Sequence, residues 1–151
     1  MKKKRRWARE LTLKMLYALE VGDQSLNKGT FQEYFWNKEK NIPCSVKDYT
    51  QELVKGIEKN IQEIDKVISK HSKNWRIDRQ SIINRNILRI GIYELIFCLD
   101  IPHVVCIDEA IELAKEYSDE DSPSFINGVL DVVRKDYHGC ILGETSRLPG
   151  L

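Results

Sequence analysis

The sequence predicts an all-α protein, a compact bundle of six or seven helices. Apolar residues recur at three- and four-residue spacing along most of the chain, the mark of helices with one buried face. No two-residue alternation bounded by hairpin turn residues appears. Helix-start and helix-stop residues punctuate the apolar pattern instead.

Trp7, Ala8, Leu11, Met15, Leu16, Ala18 and Leu19 predict a first helix over about 7–21, stopped by Gly22-Asp23. Thr30 is placed to cap a second, carrying Phe31, Tyr34, Phe35 and Trp36, before Pro43 breaks the chain. Ser45 suits the N-cap of a third, with Val46, Tyr49, Leu53 and Ile57. Asn60 opens a fourth with Ile61, Ile64, Val67, Ile68 and His71, although the third and fourth read equally well as one bent helix. Asp78 is the expected cap of the fifth. From Ile82 to Phe97 that helix is apolar on nearly every side, so it should run through the centre of the bundle. Asp100-Ile101-Pro102 makes a turn, and Ile107, Ala110, Ile111, Leu113 and Ala114 mark the sixth helix. Ser122 as cap and Pro123 at the first helical position start the last, with Phe125, Ile126, Val129, Leu130 and Val133. Residues 1–137 are expected to form one helical domain. Residues 138–151, broken by two glycines and a proline, are expected to be a flexible tail.

At 151 residues, with 42% hydrophobic and 31% charged side chains, the chain has the size and composition of one soluble globular domain. Its longest apolar stretch, ILRIGIYELIFCL, contains Arg89 and Glu94 and falls short of the roughly 20 residues that span a bilayer. The expectation is a cytoplasmic protein with no membrane partner. Cysteines at 44, 98, 106 and 140 lack zinc-ribbon spacing. Cys98 and Cys106 flank His103 but sit in apolar helix patterns, so buried thiols are expected there and no metal.

Charge is distributed unevenly. The chain opens MKKKRRWARE: Lys2, Lys3, Lys4, Arg5, Arg6 and Arg9 stand together with no acid among the first nine residues. The remaining 18 Lys and Arg face all 23 Asp and Glu, so a chain of net charge +1 divides into a basic head and a body at −5. Such a block marks an interaction segment, and a polyanion is the natural partner because neutralised phosphates release counterions. A secretory signal is excluded by the charges in WARELTLKMLY. A nuclear localisation run and a solvated tail are the competing readings.

No catalytic constellation appears. Phosphate-binding glycine loops, HExxH and GxSxG are missing, and His71, His103 and His138 are scattered. Asp108, Glu109 and Glu112 stand where acids complement a helix dipole. No cofactor is expected, and binding is the better class than catalysis. A basic arm with an aromatic suits single-stranded nucleic acid, since no helix carries the surface of a duplex-groove reader; Trp7 itself is expected to pack or lie at the rim, with stacking on a base as the alternative.

The stretch ILRIGIYELIFCLDIPHVVCIDEAIELAKEYSDEDSPSFINGVLDVV at 87–133 resembles the NusB transcription antitermination family, as does the head RRWARELTLKMLYALE. The ordered elements are Leu88-Arg89 through Tyr93-Glu94, the Asp-Ile-Pro turn, the IDEAIELAK helix and the FINGVLD helix start. Residues 22–76 match only in pattern. The resemblance implies binding of boxA-type RNA together with a small ribosomal subunit protein acting as NusE. It implies that the pair, within the elongation complex, carries RNA polymerase past terminators, notably in ribosomal RNA operons.

By match to the family, Lys3, Lys4, Arg5, Arg6 and Arg9 fall on the RNA-binding segment, and Asp121 and Phe125 on a nearby RNA-facing edge. Tyr17 and Asn84 fall where the ribosomal partner docks, with core packing an equal reading for Tyr17. Trp7 stands where the family carries a third Arg, and Asn84 where it carries an acid. Gly128 is expected to allow close helix approach, Asn127 to bond a neighbouring backbone group, and Arg89 and Glu94 to join an internal ion-pair network. Two other functions are weighed: a helical homodimeric adaptor, and the NusB-like module of an RNA methyltransferase system. The second would bring a cofactor domain with a glycine-rich loop, which these 151 residues lack.

Overall fold

A computed structural model describes residues 2–22, 28–39, 41–72 and 81–142. Among them are seven helices and no strand: α1 Lys2–Val21, α2 Lys28–Lys38, α3 Cys44–Lys59, α4 Ile61–His71, α5 Ile82–Phe97, α6 His103–Tyr117 and α7 Ser122–Leu142. The all-α expectation holds. None of these helices is long and apolar enough to cross a membrane. The chain forms two compact units, Met1–Lys55 and Gly56–Leu151, divided within α3.

In the first unit, the apolar faces of α1 and α3 supply the core: Ala8, Leu11, Met15 and Leu16 from one, Val46, Tyr49, Leu53 and Val54 from the other. Two buried threonines return their hydroxyl protons to the backbone one turn earlier, Thr12 to Ala8 and Thr50 to Val46, both at 2.8 Å. The Thr50 hydroxyl also lies 3.3 Å from the Ala8 carbonyl, a contact between α1 and α3 that the small side chain of Ala8 permits. α1 begins at Lys2, not near residue 7, so the basic head is helical. α2 begins before Thr30, which therefore lies inside it. α3 begins at Cys44, one residue ahead of Ser45, and the Pro43 carbonyl accepts from the N–H groups of Val46 and Lys47.

In the second unit, α3 and α4 are separate helices joined at Asn60, where φ −111° and ψ 20° depart from helical values. Asn60 makes no side-chain cap; its amide donates back to the Gly56 carbonyl at 2.8 Å. α5 packs against α4, α6 and α7 and buries residues from Asn86 to Ile96, as its all-round apolar pattern predicts. Its cap is Ser81, whose hydroxyl oxygen accepts from the Asn84 N–H at 3.0 Å; Asp78 lies outside the described residues. Close approach falls on glycines other than the expected one. A Cβ on Gly91 would lie 2.8 Å from Leu130 Cδ1, and one on Gly56 would collide with the Tyr93 ring. Gly128 is exposed with nothing near its Cβ direction, so it lacks the close-approach role expected of it, and Asn127 beside it is exposed.

Arg89 pairs with Asp65 of α4 through a two-pronged fork, both contacts at 2.9 Å, and donates a third bond to Asn86 at 3.0 Å. Cys98 and Cys106 are buried free thiols and Cys44 an exposed one. Among the described residues no group of three or more His, Cys, Asp or Glu could hold a metal ion. α7 runs through 138–142, and the rest of the expected tail, 143–151, lies outside the described residues.

Candidate nucleic-acid interface

Because the basic head is helical, its cations take different faces of α1. Lys3 and Lys4 are exposed and Arg5 and Arg6 half-buried. Arg9 departs from expectation: it is 2% exposed, so its guanidinium is not offered to a phosphate. Arg5 and Arg9 do share a face, as their spacing predicts, but that face turns inward. The Arg5 guanidinium lies over the Tyr49 ring, 4.7 Å from its centroid, a cation–π contact within the first unit.

The outward face of α1 reads Lys3, Arg6, Trp7, Glu10, Lys14, Tyr17 and Val21, a stripe at helical spacing. Trp7 is 38% and Tyr17 42% exposed. The core-packing reading of Tyr17 is thereby set aside. At roughly 1.5 Å per residue, Lys3 and Tyr17 are about 21 Å apart along one helix. Sequence reasoning gives Trp7 an RNA contact only as an alternative and leaves Lys14 out of the site, although the three- and four-residue spacing from Lys3 to Tyr17 contains both.

The second unit carries Asp121, Phe125 and Asn84. Asp119, Glu120 and Asp121 are exposed immediately before α7, and Phe125, half-buried, follows in its first turn. The Phe125 N–H donates to the Asp121 carbonyl at 3.3 Å. Asn84 is held in a hydrogen-bonded ring. The Ser118 hydroxyl donates to Asn84 Oδ1 at 2.6 Å, Asn84 Nδ2 donates to Ser122 Oγ at 2.8 Å, and the Ser122 hydroxyl donates to Asp119 Oδ1 at 2.6 Å. One amide thus ties the start of α5 to the α6–α7 connection that bears the acids. The amide uses both its acceptor and its donor in these contacts. No signal local to Asn84 announces these partners, which stand 34 and 38 residues away.

The NusB family model matches residues 6–135 of the chain. The transcription antitermination protein NusB of Myxococcus xanthus is 44% identical over 131 residues, covering 85% of this chain and 93% of that protein. Among solved structures, T. maritima NusB superposes with a TM-score of 0.78 at 36% identity, covering 87% of this chain and 91% of that one. A crystal structure of the antitermination factors NusB and NusE in complex with dsRNA also gives 0.78, at 30% identity over 89% of this chain and 98% of that one.

Proposed function

This chain belongs to the NusB family, and from that premise we propose that it is a transcription antitermination factor that binds RNA together with a ribosomal small-subunit protein acting as NusE. The observation that carries the reading is the outward stripe of α1. Its first turns present Lys3, Lys4 and Arg6, and its far end presents Tyr17. One helix thus offers a cationic group for phosphate and, about 21 Å along, an uncovered aromatic for a protein partner. The NusB–NusE–dsRNA complex, a 30% identical structural relative, supports both partner classes. In the second unit, Phe125 supplies a half-exposed ring beside Asp121 at the RNA-facing edge. Asn84 contributes to partner docking indirectly, by fixing the connection before α7, since its amide is already engaged within the chain. The RNA is boxA-type, the pair acts within the elongation complex, notably on ribosomal RNA operons, and the site of action is the cytoplasm.

The test is RNA binding with and without the ribosomal partner, using a boxA-type strand, a scrambled strand and a duplex. The chain alone should bind weakly and with strong salt dependence. The partner should tighten binding and sharpen the preference for the boxA-type strand. Equal discrimination by the chain alone and by the pair would sink the shared-site reading, and a stronger hold on the duplex would reassign the RNA form.

A further inference from the structure

Two aromatic side chains of the first unit, Trp7 and Tyr17, are exposed on the outward face of α1. Tyr49 lies under Arg5, and Trp36 is met edge-on by Phe35 and lies under Lys47. The Trp7 side chain makes no ring contact, cation contact or hydrogen bond among the described residues, and the residue is 38% exposed. Its place on α1 puts Lys3 one turn before it and Arg6 beside it on the outward stripe, with exposed Lys4 in the same turn and exposed Lys14 two turns on. An indole left more than a third exposed beside several cations is not fully explained by folding. The exposed charges of Lys3, Lys4 and Lys14 add nothing to apolar burial. They do favour a ligand that carries phosphates next to flat, apolar rings.

Resting on the RNA-binding reading above, we propose that Trp7 stacks on an unpaired RNA base while Lys3, Lys4 and Arg6 hold the flanking phosphates. Phosphate contacts release counterions and give affinity a salt dependence, whereas stacking of a ring on a base releases none. Stacking also tolerates any base, because every base has a π-face. Trp7 therefore adds affinity of a kind that neither salt nor sequence modulates strongly, and it favours single strands, whose bases are open to it.

The experiment measures affinity for a boxA-type RNA strand and a scrambled strand of equal length across a salt series, with fold checked by circular dichroism. The proteins are the full chain, Trp7→Phe, Trp7→Leu and a Lys3→Ala/Lys4→Ala double variant. Phe keeps a π-face and Leu keeps only apolar bulk. Trp7→Leu should weaken both strands about fivefold or more with an unchanged salt slope, and Trp7→Phe should retain most of the affinity. RNA should quench the indole emission of the wild type, and Trp7→Phe should lose that quench. The lysine variant should lower the salt slope by about 0.7 for each phosphate no longer neutralised. A slope unmoved by the lysine substitutions would remove the RNA site from this end of α1, and the stacking proposal would fall with it. A lowered slope combined with equal affinities for Trp7→Leu, Trp7→Phe and wild type would overturn stacking alone. Loss of ribosomal-partner binding or of self-association in Trp7→Leu, with RNA affinity intact, would make Trp7 a protein-facing residue and overturn it as well.

Discussion

His71 closes the end of α4 onto α7: its Nε2 lies 2.6 Å from Asp136 Oδ2, while its Nδ1 lies 2.9 Å from the Val67 carbonyl. A carbonyl and a carboxylate both only accept, so the ring satisfies both when both nitrogens carry protons. The ring stands in the last turn of α4, at the negative end of the helix dipole. The Tyr137 ring, 6.2 Å away and tilted by 54°, flanks it from α7, and Lys70 adds a second positive charge near Asp136. The His71 side chain is 3% exposed and that of Asp136 50%, so the pair has one buried and one wet end.

The pair makes stability depend on acid. The hydrogen bond from His71 holds the Asp136 carboxyl below its ordinary value of 3.8; burial opposes it, and the charges of His71 and Lys70 lower it further. A carboxyl lowered in the folded state contributes stability that is fully present above its unfolded value and lost as pH falls through the folded one. Asp136→Asn should therefore melt below wild type by a constant margin at mildly acid pH. The margin should close as pH drops below 3.8. Melting curves across that range check it, and a margin that ignores pH would deny the interaction its ionic character.

Arg6 and Arg9 should separate binding from folding. Arg6→Ala should lower the salt slope of RNA binding by about 0.7, the share of one single-strand phosphate, with stability changed by no more than about 0.5 kcal/mol. Arg9→Ala should leave the slope unchanged and cost on the order of 2 kcal/mol in urea unfolding, because it removes a buried charged group that has partners within the fold. Arg5→Ala should fall between them, giving up a cation–π interaction of about 0.5–1 kcal/mol. A slope that falls equally in all three would place Arg9 on the RNA after all.

Some of these positions are legible in the sequence and others are hidden for physical reasons. The buried face of α5 is readable because nearly every residue there is apolar, and burial on all sides leaves little ambiguity. Arg9 is easily misread because a run of cations looks solvated. Yet it stands three and four residues before Thr12 and Leu13, both buried, and helical spacing alone assigns it to their side. The Asn84 ring and the His71–Asp136 pair join residues 34 to 65 positions apart, and no local pattern encodes such a meeting. Gly128 misleads because a helical glycine announces a need for space without saying whether anything fills it.

Two glycines within helices give opposite signs. Gly91→Ala drives a methyl group toward Leu130 Cδ1, 2.8 Å from the new Cβ, and should cost about 1–3 kcal/mol. Gly128→Ala places the methyl group in open space and removes backbone freedom from the unfolded chain, so it should stabilise by about 0.5–1 kcal/mol. Thermal unfolding of both variants decides it. Destabilisation by Gly128→Ala would mean that a neighbour covers this face of α7.

Asp121 sets fold against ligand. It stands with Asp119 and Glu120 directly before α7, where negative charge is stabilised by the helix dipole. Asp119 accepts the Ser122 hydroxyl proton within the Asn84 ring, so its charge is engaged in the fold, while Asp121 is exposed. If RNA lies along the edge bearing Phe125, the Asp121 carboxylate repels the phosphates there. Asn caps a helix start about as well as Asp, so Asp121→Asn removes the repulsion and leaves the helix start intact. The variant should bind RNA more tightly at low salt and unfold at a near-normal temperature. Its advantage should shrink as ionic strength reaches about 0.15 M, where the screening length is roughly 8 Å. A salt series on both proteins measures this directly. Identical affinities at every salt concentration would put Asp121 far from the phosphates, and Phe125 would lose its place at the edge of the RNA site.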